Sequence, residues 1–173
     1  VHDDSNGQLL PAQAMALQPA RDGSHYAAKL SGAGFTDWGA QMGVSLRAPA
    51  TAYDASGSYG VRFLAKGSGK GWSLLISDRA SVPQGGMCDA SAWGNESSCY
   101  RFVGQRFDVG ADWQEVVVRF DDLKLMLNPE SPRGLDKTAL YDIIFNFYSA
   151  EGEAFELLVD DLSFIKETEG ECL

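Results

Sequence analysis

TDWGAQMGVSLR, residues 36–47, alternates without a break. Trp38, Ala40, Met42, Val44 and Leu46 share one side, and Asp37, Gly39, Gln41, Gly43, Ser45 and Arg47 share the other. A period of two is the signature of a half-buried strand, because successive side chains leave a pleated backbone on opposite faces. Working outward, the same rhythm returns almost everywhere. YGVRFLAK (59–66) sets Val61, Phe63 and Ala65 against Arg62, Leu64 and Lys66, and WSLLISD (72–78) groups Trp72, Leu74 and Ile76. ALYDIIFNFYS (139–149) puts Ile143, Phe145 and Phe147 opposite Ile144, Asn146 and Tyr148. SHYAAKLS (24–31), YRFVGQRFDV (100–109), the β-branched WQEVVVRF (113–120) and FELLVDDLSFI (155–165) complete the series. Between them SGAG, DASGS, KGSGKG, PQGG, NPESPRG and AEGE are turn chemistry.

Helical signal is thin: FDDLKLML (120–127) can form one Asp-led turn, and residues 9–18 read as an irregular first strand. The expected fold is therefore all-β, an antiparallel β-sandwich or jelly roll of about eight to nine strands with little or no helix. Its 173 residues suit one domain spanning 1–173, with 166–173 (KETEGECL closing the chain) as a polar tail. The chain opens at Val1-His2-Asp3-Asp4 and is read as a piece of a longer secreted or surface protein, so the lack of a leader carries no message about compartment.

The formal net charge of −10, with 14 scattered Lys and Arg, excludes a basic stripe for nucleic acid or anionic lipid. No segment approaches the roughly 20 apolar residues needed to span a bilayer as a helix. Neutral substrates, cations and basic partners stay open. A hydrolytic triad needs a nucleophile beside a positioned base, and the two histidines, His2 and His25, lie beside no nucleophile elbow. Asp121-Asp122 and Asp160-Asp161 are adjacent pairs, whose members point apart in a strand and make no facing acid–base couple. The chain is accordingly read as no enzyme.

Cys88 and Cys99 bracket Gly-, Ser- and Asn-rich sequence (GGMCDASAWGNESSCY), and we expect a disulfide closing a surface loop in an oxidising compartment. Free thiols in a reducing compartment are the alternative. Cys172 is left over. The doublet Asp160-Asp161 interrupts an apolar strand, and a buried carboxylate needs a partner or a metal. Calcium, which favours hard oxygen ligands, is one reading; capping of the strand end or pairing with Arg or Lys is the other.

In order along the chain, LSGAGFTDWGAQMGVSL, YDASGSYGVRFLAKG, VPQGGMCDASAWGNESSCYRFVGQRFDV, DWQEVVVRFDDL and FELLVDDLSF resemble bacterial galactose-binding-domain-like jelly rolls, over roughly residues 24–165. That superfamily holds many carbohydrate-binding modules of secreted polysaccharide-degrading enzymes. The resemblance implies a non-catalytic module for a polysaccharide or cell-surface glycan, secreted or surface-bound, with a catalytic domain as a candidate neighbour in the parent chain. It also implies a structural Ca2+ held by Asp160 or Asp161, with Asp22 in the turn before SHYAAKL. The opening HDDSNG departs from the family by lacking a Trp. A structural or adhesion sandwich binding protein partners is the alternative function.

For a sugar site the alternation nominates Asp37, Gln41, Arg62, Asn146 and Tyr148 as an outward set on a concave sheet. Trp93, inside the Cys88–Cys99 loop, is the candidate rim platform. Trp38, Trp72 and Trp113 fall in the inward phase and are read as core.

Overall fold

The computed structural model describes residues 2–3, 7–9, 15–16, 26–89, 91, 99–127, 129–148 and 152–166. Trp93, Asp22 and Cys172 lie outside these, as do His25 and residues 167–173.

Among the described residues twelve strands run in chain order: β1 (His2–Asp3), β2 (Gln8–Leu9), β3 (Met15–Ala16), β4 (Ala28–Ala33), β5 (Ala40–Ser45), β6 (Ser58–Ser68), β7 (Trp72–Asp78), β8 (Val103–Arg106), β9 (Gln114–Arg119), β10 (Lys124–Leu125), β11 (Leu140–Phe147) and β12 (Phe155–Lys166). All pairings are antiparallel. The first sheet has the order β1-β5-β11-β7-β8-β10, and the second β2-β4-β12-β6-β9 with β3 also on β4. Setting aside β1, β2, β3 and β10, each of two residues, eight substantial strands remain, as the alternation predicts. The only helical turns among the described residues are 3-10 turns at Pro83–Gly85 and Phe120–Asp122. The turn expected within 120–127 is thus short, and the chain returns to strand at Lys124.

The inward phase of each strand fills the space between the sheets. Val61, Phe63 and Ala65 from one sheet meet Trp72, Leu74, Ile76, Ile143, Phe145 and Phe147 from the other, all nearly or fully buried. Aromatic rings bridge the two layers. Phe63 meets Phe145 edge-on at 5.1 Å, and Phe147 stacks on Phe155 at 4.1 Å with Trp72 beside it. Such contacts add to area burial, which contributes roughly 1.5–3 kcal/mol per large apolar side chain. The Trp72 indole keeps its N–H satisfied on the Ser68 carbonyl at 3.0 Å.

Two positions depart from the alternation. Val44 is in the inward phase yet 41% exposed, next to the last residue of β5. Trp113, expected in the core, is half-buried outside it, against Ala27 and Leu158, with the Lys66 ammonium 5.1 Å above its ring. Trp113 immediately precedes β9, so no neighbour-strand register commits it to the inner face. Trp38 is likewise only half-buried, in the segment before β5.

Candidate functional site

Register decides what the outer face of the first sheet presents. Across the strands, Gly43, Ile144, Leu75 and Gly104 stand in one row. Ile144 and Leu75 are 7% exposed, and the two glycines leave the floor low. A Cβ on Gly104 would come within 2.8 Å of Leu75 and 3.2 Å of Met126, so a side chain there would crowd this trough. On one side of the row run Gln41, Asn146, Ser73 and Arg106. Ser45 and Asp142 run on the other. The result is an apolar floor between two polar rails.

A β-bulge aims Asp142. Leu140 pairs with Asp78 and Ile143 with Ile76, so Tyr141 and Asp142 together oppose Ser77. Bulges disrupt a ladder locally and redirect side chains. The Ser77 hydroxyl, fully buried, fills the gap: it accepts the Asp142 N–H at 2.8 Å and donates to Asp142 Oδ2 at 2.9 Å. Ser45 Oγ donates to Asp142 Oδ1 at 2.8 Å. Each carboxylate oxygen therefore has one neighbouring hydroxyl and further acceptor capacity. The carboxylate is fixed before any ligand arrives.

Over this floor stands a wall from residues 82–84 and 100–102, enclosing a groove of about 410 Å³ with Gln41, Gly43, Ser45, Asp142 and Ile144. Tyr100, at φ 63°, is 59% exposed, and its ring meets Phe102 edge-on at 6.5 Å. The Tyr141 hydroxyl reaches the Gln84 carbonyl at 3.4 Å, tying wall to floor. The disulfide between Cys88 and Cys99 is present and joins the two halves of the wall. Among the described residues lining the groove, Asp142 is the one formally charged side chain.

The residues nominated from sequence divide. Gln41 lines the groove, Asn146 pairs beside it in register, and Tyr148 lies just past the end of β11, 54% exposed. Asp37 is exposed in the segment leading to β5. Arg62 is not on this surface. It sits on the outer face of the second sheet, where its Nε donates to Ser163 Oγ at 3.3 Å beside Glu115 and Asp161. The alternation gives the side of a strand but not the sheet to which the strand belongs, and β6 lies in the other layer. Trp93, the rim candidate, lies outside the described residues.

Sequence reasoning missed Asp142, Ser45, Gln84, Tyr100 and Phe102. Asp142 was within reach, two residues from Ile144 in the phase that nominated Asn146 and Tyr148.

The doublet Asp160-Asp161 has a backbone role. Asp160 pairs with Leu64 and Ser163 with Arg62, which leaves an extra residue on β12. Asp161 takes φ 50°, a conformation that Asp tolerates better than most residues, and its N–H bonds Asp160 Oδ1 at 2.8 Å. Among the described residues no three or more His, Cys, Asp or Glu side chains gather as a metal site. Asp22, the further ligand the resemblance implies, lies outside the described residues, and Glu115 lines the same pocket as Asp161.

No protein-family model and no curated protein matches the chain. Solved structures do. The family 11 carbohydrate-binding module of a cellulosomal cellulase of Clostridium thermocellum superposes with TM-score 0.69 at 15% identity, over 98% of this chain and 88% of that one. A structure of a family 11 module from the same organism, in complex with a β-1,3-1,4-mixed-linked tetrasaccharide, gives TM-score 0.67 at 15% identity, over 97% and 88%. The family 30 module of another cellulosomal cellulase of Clostridium thermocellum gives 0.62 at 16% identity, over 95% and 88%. At such identities the shared property is the fold, and this chain has the β-sandwich fold of those carbohydrate-binding modules.

Proposed function

We propose that the chain is a non-catalytic carbohydrate-binding module that holds a neutral β-linked polysaccharide in the groove of the first sheet. The observation that carries this is the pre-fixed Asp142 carboxylate beside the Tyr100–Phe102 wall. Sugars need an apolar or aromatic surface for their C–H faces and a few fixed polar groups for their hydroxyls, and the groove supplies both. Gln41 and Gln84 add amides that can donate and accept. The mixed-linked tetrasaccharide bound by the family 11 module names the first ligand to try. Residence in a secreted enzyme beside a catalytic domain belongs to the same proposal, supported by the disulfide, which suits an oxidising compartment. So does a structural calcium at Asp160 or Asp161.

Affinity electrophoresis in gels containing mixed-linked β-glucan tests the proposal. Wild type should be retarded. Tyr100→Ala and Asp142→Asn should each weaken retention by about tenfold, the scale of one charge-assisted hydrogen bond or one stacking contact. Arg62→Ala, on the opposite face, should run as wild type. Absence of retention on glucan, xylan, mannan and galactan alike would replace this reading with the adhesion alternative.

A further inference from the structure

The wall of the groove is not part of a sheet. Residues 82–84 and 100–102 lie outside the strands. The Met126 N–H bonds the Phe102 carbonyl at 3.1 Å, one step beyond the β8–β10 pairing. Beyond that bond and the Cys88–Cys99 disulfide, two further ties meet at one residue, Asp78. Asp78, at the end of β7 and 1% exposed, accepts the Ala80 N–H at 3.1 Å and the Asp136 N–H at 3.2 Å, and forms an ion pair with Arg133. Its backbone N–H and carbonyl are both engaged by the Ser81 hydroxyl, and the Ser81 carbonyl accepts the Tyr100 N–H at 2.7 Å. The second arm of the Arg133 guanidinium donates to the carbonyl of Arg101 at 2.6 Å. Arg101 stands between the two aromatic residues of the wall.

We propose that Arg133 is a positioning residue for ligand binding: clamped on Asp78, it presents Tyr100 and Phe102 to the polysaccharide without touching it. Arg133 does not line the groove. The clamp needs an arginine because a planar fork serves two acceptors at once. A lysine can keep the buried Asp78 charge compensated but is a single point charge, and it gives up the second arm's bond to the Arg101 carbonyl. Arg133→Lys thus separates the fold from the positioning. The inference rests on the groove being the polysaccharide site.

Two measurements on wild type, Arg133→Lys, Tyr100→Ala and the double variant decide it. In calorimetric titration with the mixed-linked tetrasaccharide, Arg133→Lys should lose about tenfold in affinity, the scale of one charge-assisted hydrogen bond. The double variant should lose less than the product of the two single losses, because one residue acts through the other. In amide hydrogen exchange without ligand, Arg133→Lys should lose protection at Tyr100, while Leu74 and Phe145 in the strands stay protected. Wild-type affinity in Arg133→Lys, multiplying losses in the double variant, or unchanged protection at Tyr100 would each overturn the positioning role. A wild type that binds no glycan would instead sink the groove reading on which it rests. Should Arg133→Lys fail to fold, the neutral pair Asp78→Leu with Arg133→Met removes both charges together. It should then fold with the same loss of affinity, and full affinity there would contradict the role.

Discussion

Asp136 shows how single side chains lock the loops around the groove. The Thr138 hydroxyl, donating at 2.7 Å, is the chief cause holding its carboxyl below the usual aspartate range. Partial burial opposes this, while the Thr138 N–H and the Arg79 guanidinium at 2.6 Å reinforce it. A carboxyl with a depressed folded pKa stabilises above its unfolded value, and that stability is lost as pH falls through the folded value. Asp136→Asn should therefore lower the melting temperature at neutral pH, with the difference from wild type shrinking as pH drops below about 4. Thermal melts of the two proteins across that window check the sign. A gap that widens in acid would contradict it.

At the scale of elements, two bulges explain what two acidic positions do. The bulge in β11 turns Asp142 to the groove, and the bulge in β12 accommodates Asp161 at positive φ. In chelator, Asp161→Gly and Asp161→Asn should both stay close to wild-type stability, whereas Asp161→Val should lose about 1–2 kcal/mol, since a β-branched residue resists that backbone. Equal stability of all three would show that the bulge relaxes freely. The proposed calcium makes a separate prediction, that chelator lowers the wild-type melting temperature; an unmoved transition would remove the ion. The disulfide acts on the same scale. Closing a segment with sequence separation 11 should stabilise by roughly 3 kcal/mol in the chain-entropy picture. A double Cys88→Ala, Cys99→Ala variant, compared with wild type by urea denaturation, should show that loss. Bulges were not legible beforehand, because a one-residue register change appears only when the partner strand is known. The strands themselves were legible, since Val61–Ala65, Trp72–Ile76 and Ile143–Phe147 declare their inner faces by alternation alone.

At the scale of the molecule, the alternation tells which residues leave the core but not which sheet they leave from. Gln41, Asn146 and Tyr148 fell together because β5 and β11 are neighbours, and Arg62 fell away because β6 belongs to the opposite layer. Tyr100 and Phe102 were hidden for another reason: the alternation carries 100–109 as one strand, whereas β8 spans only Val103–Arg106 and the two aromatic residues lie in the segment before it. What results is a sandwich with one sheet face shaped as a trough and the other marked by the Asp161 bulge. The account stands on the trough being the ligand face. The most direct test is an NMR titration of 15N-labelled protein with the β-1,3-1,4-mixed-linked tetrasaccharide, followed through backbone amide shifts. The account predicts saturable shifts at Gly43, Asp142, Ile144 and Tyr100, with Arg62 and Ser163 unmoved. Shifts confined to Arg62 and Ser163, or no shift anywhere up to saturating sugar, would contradict it.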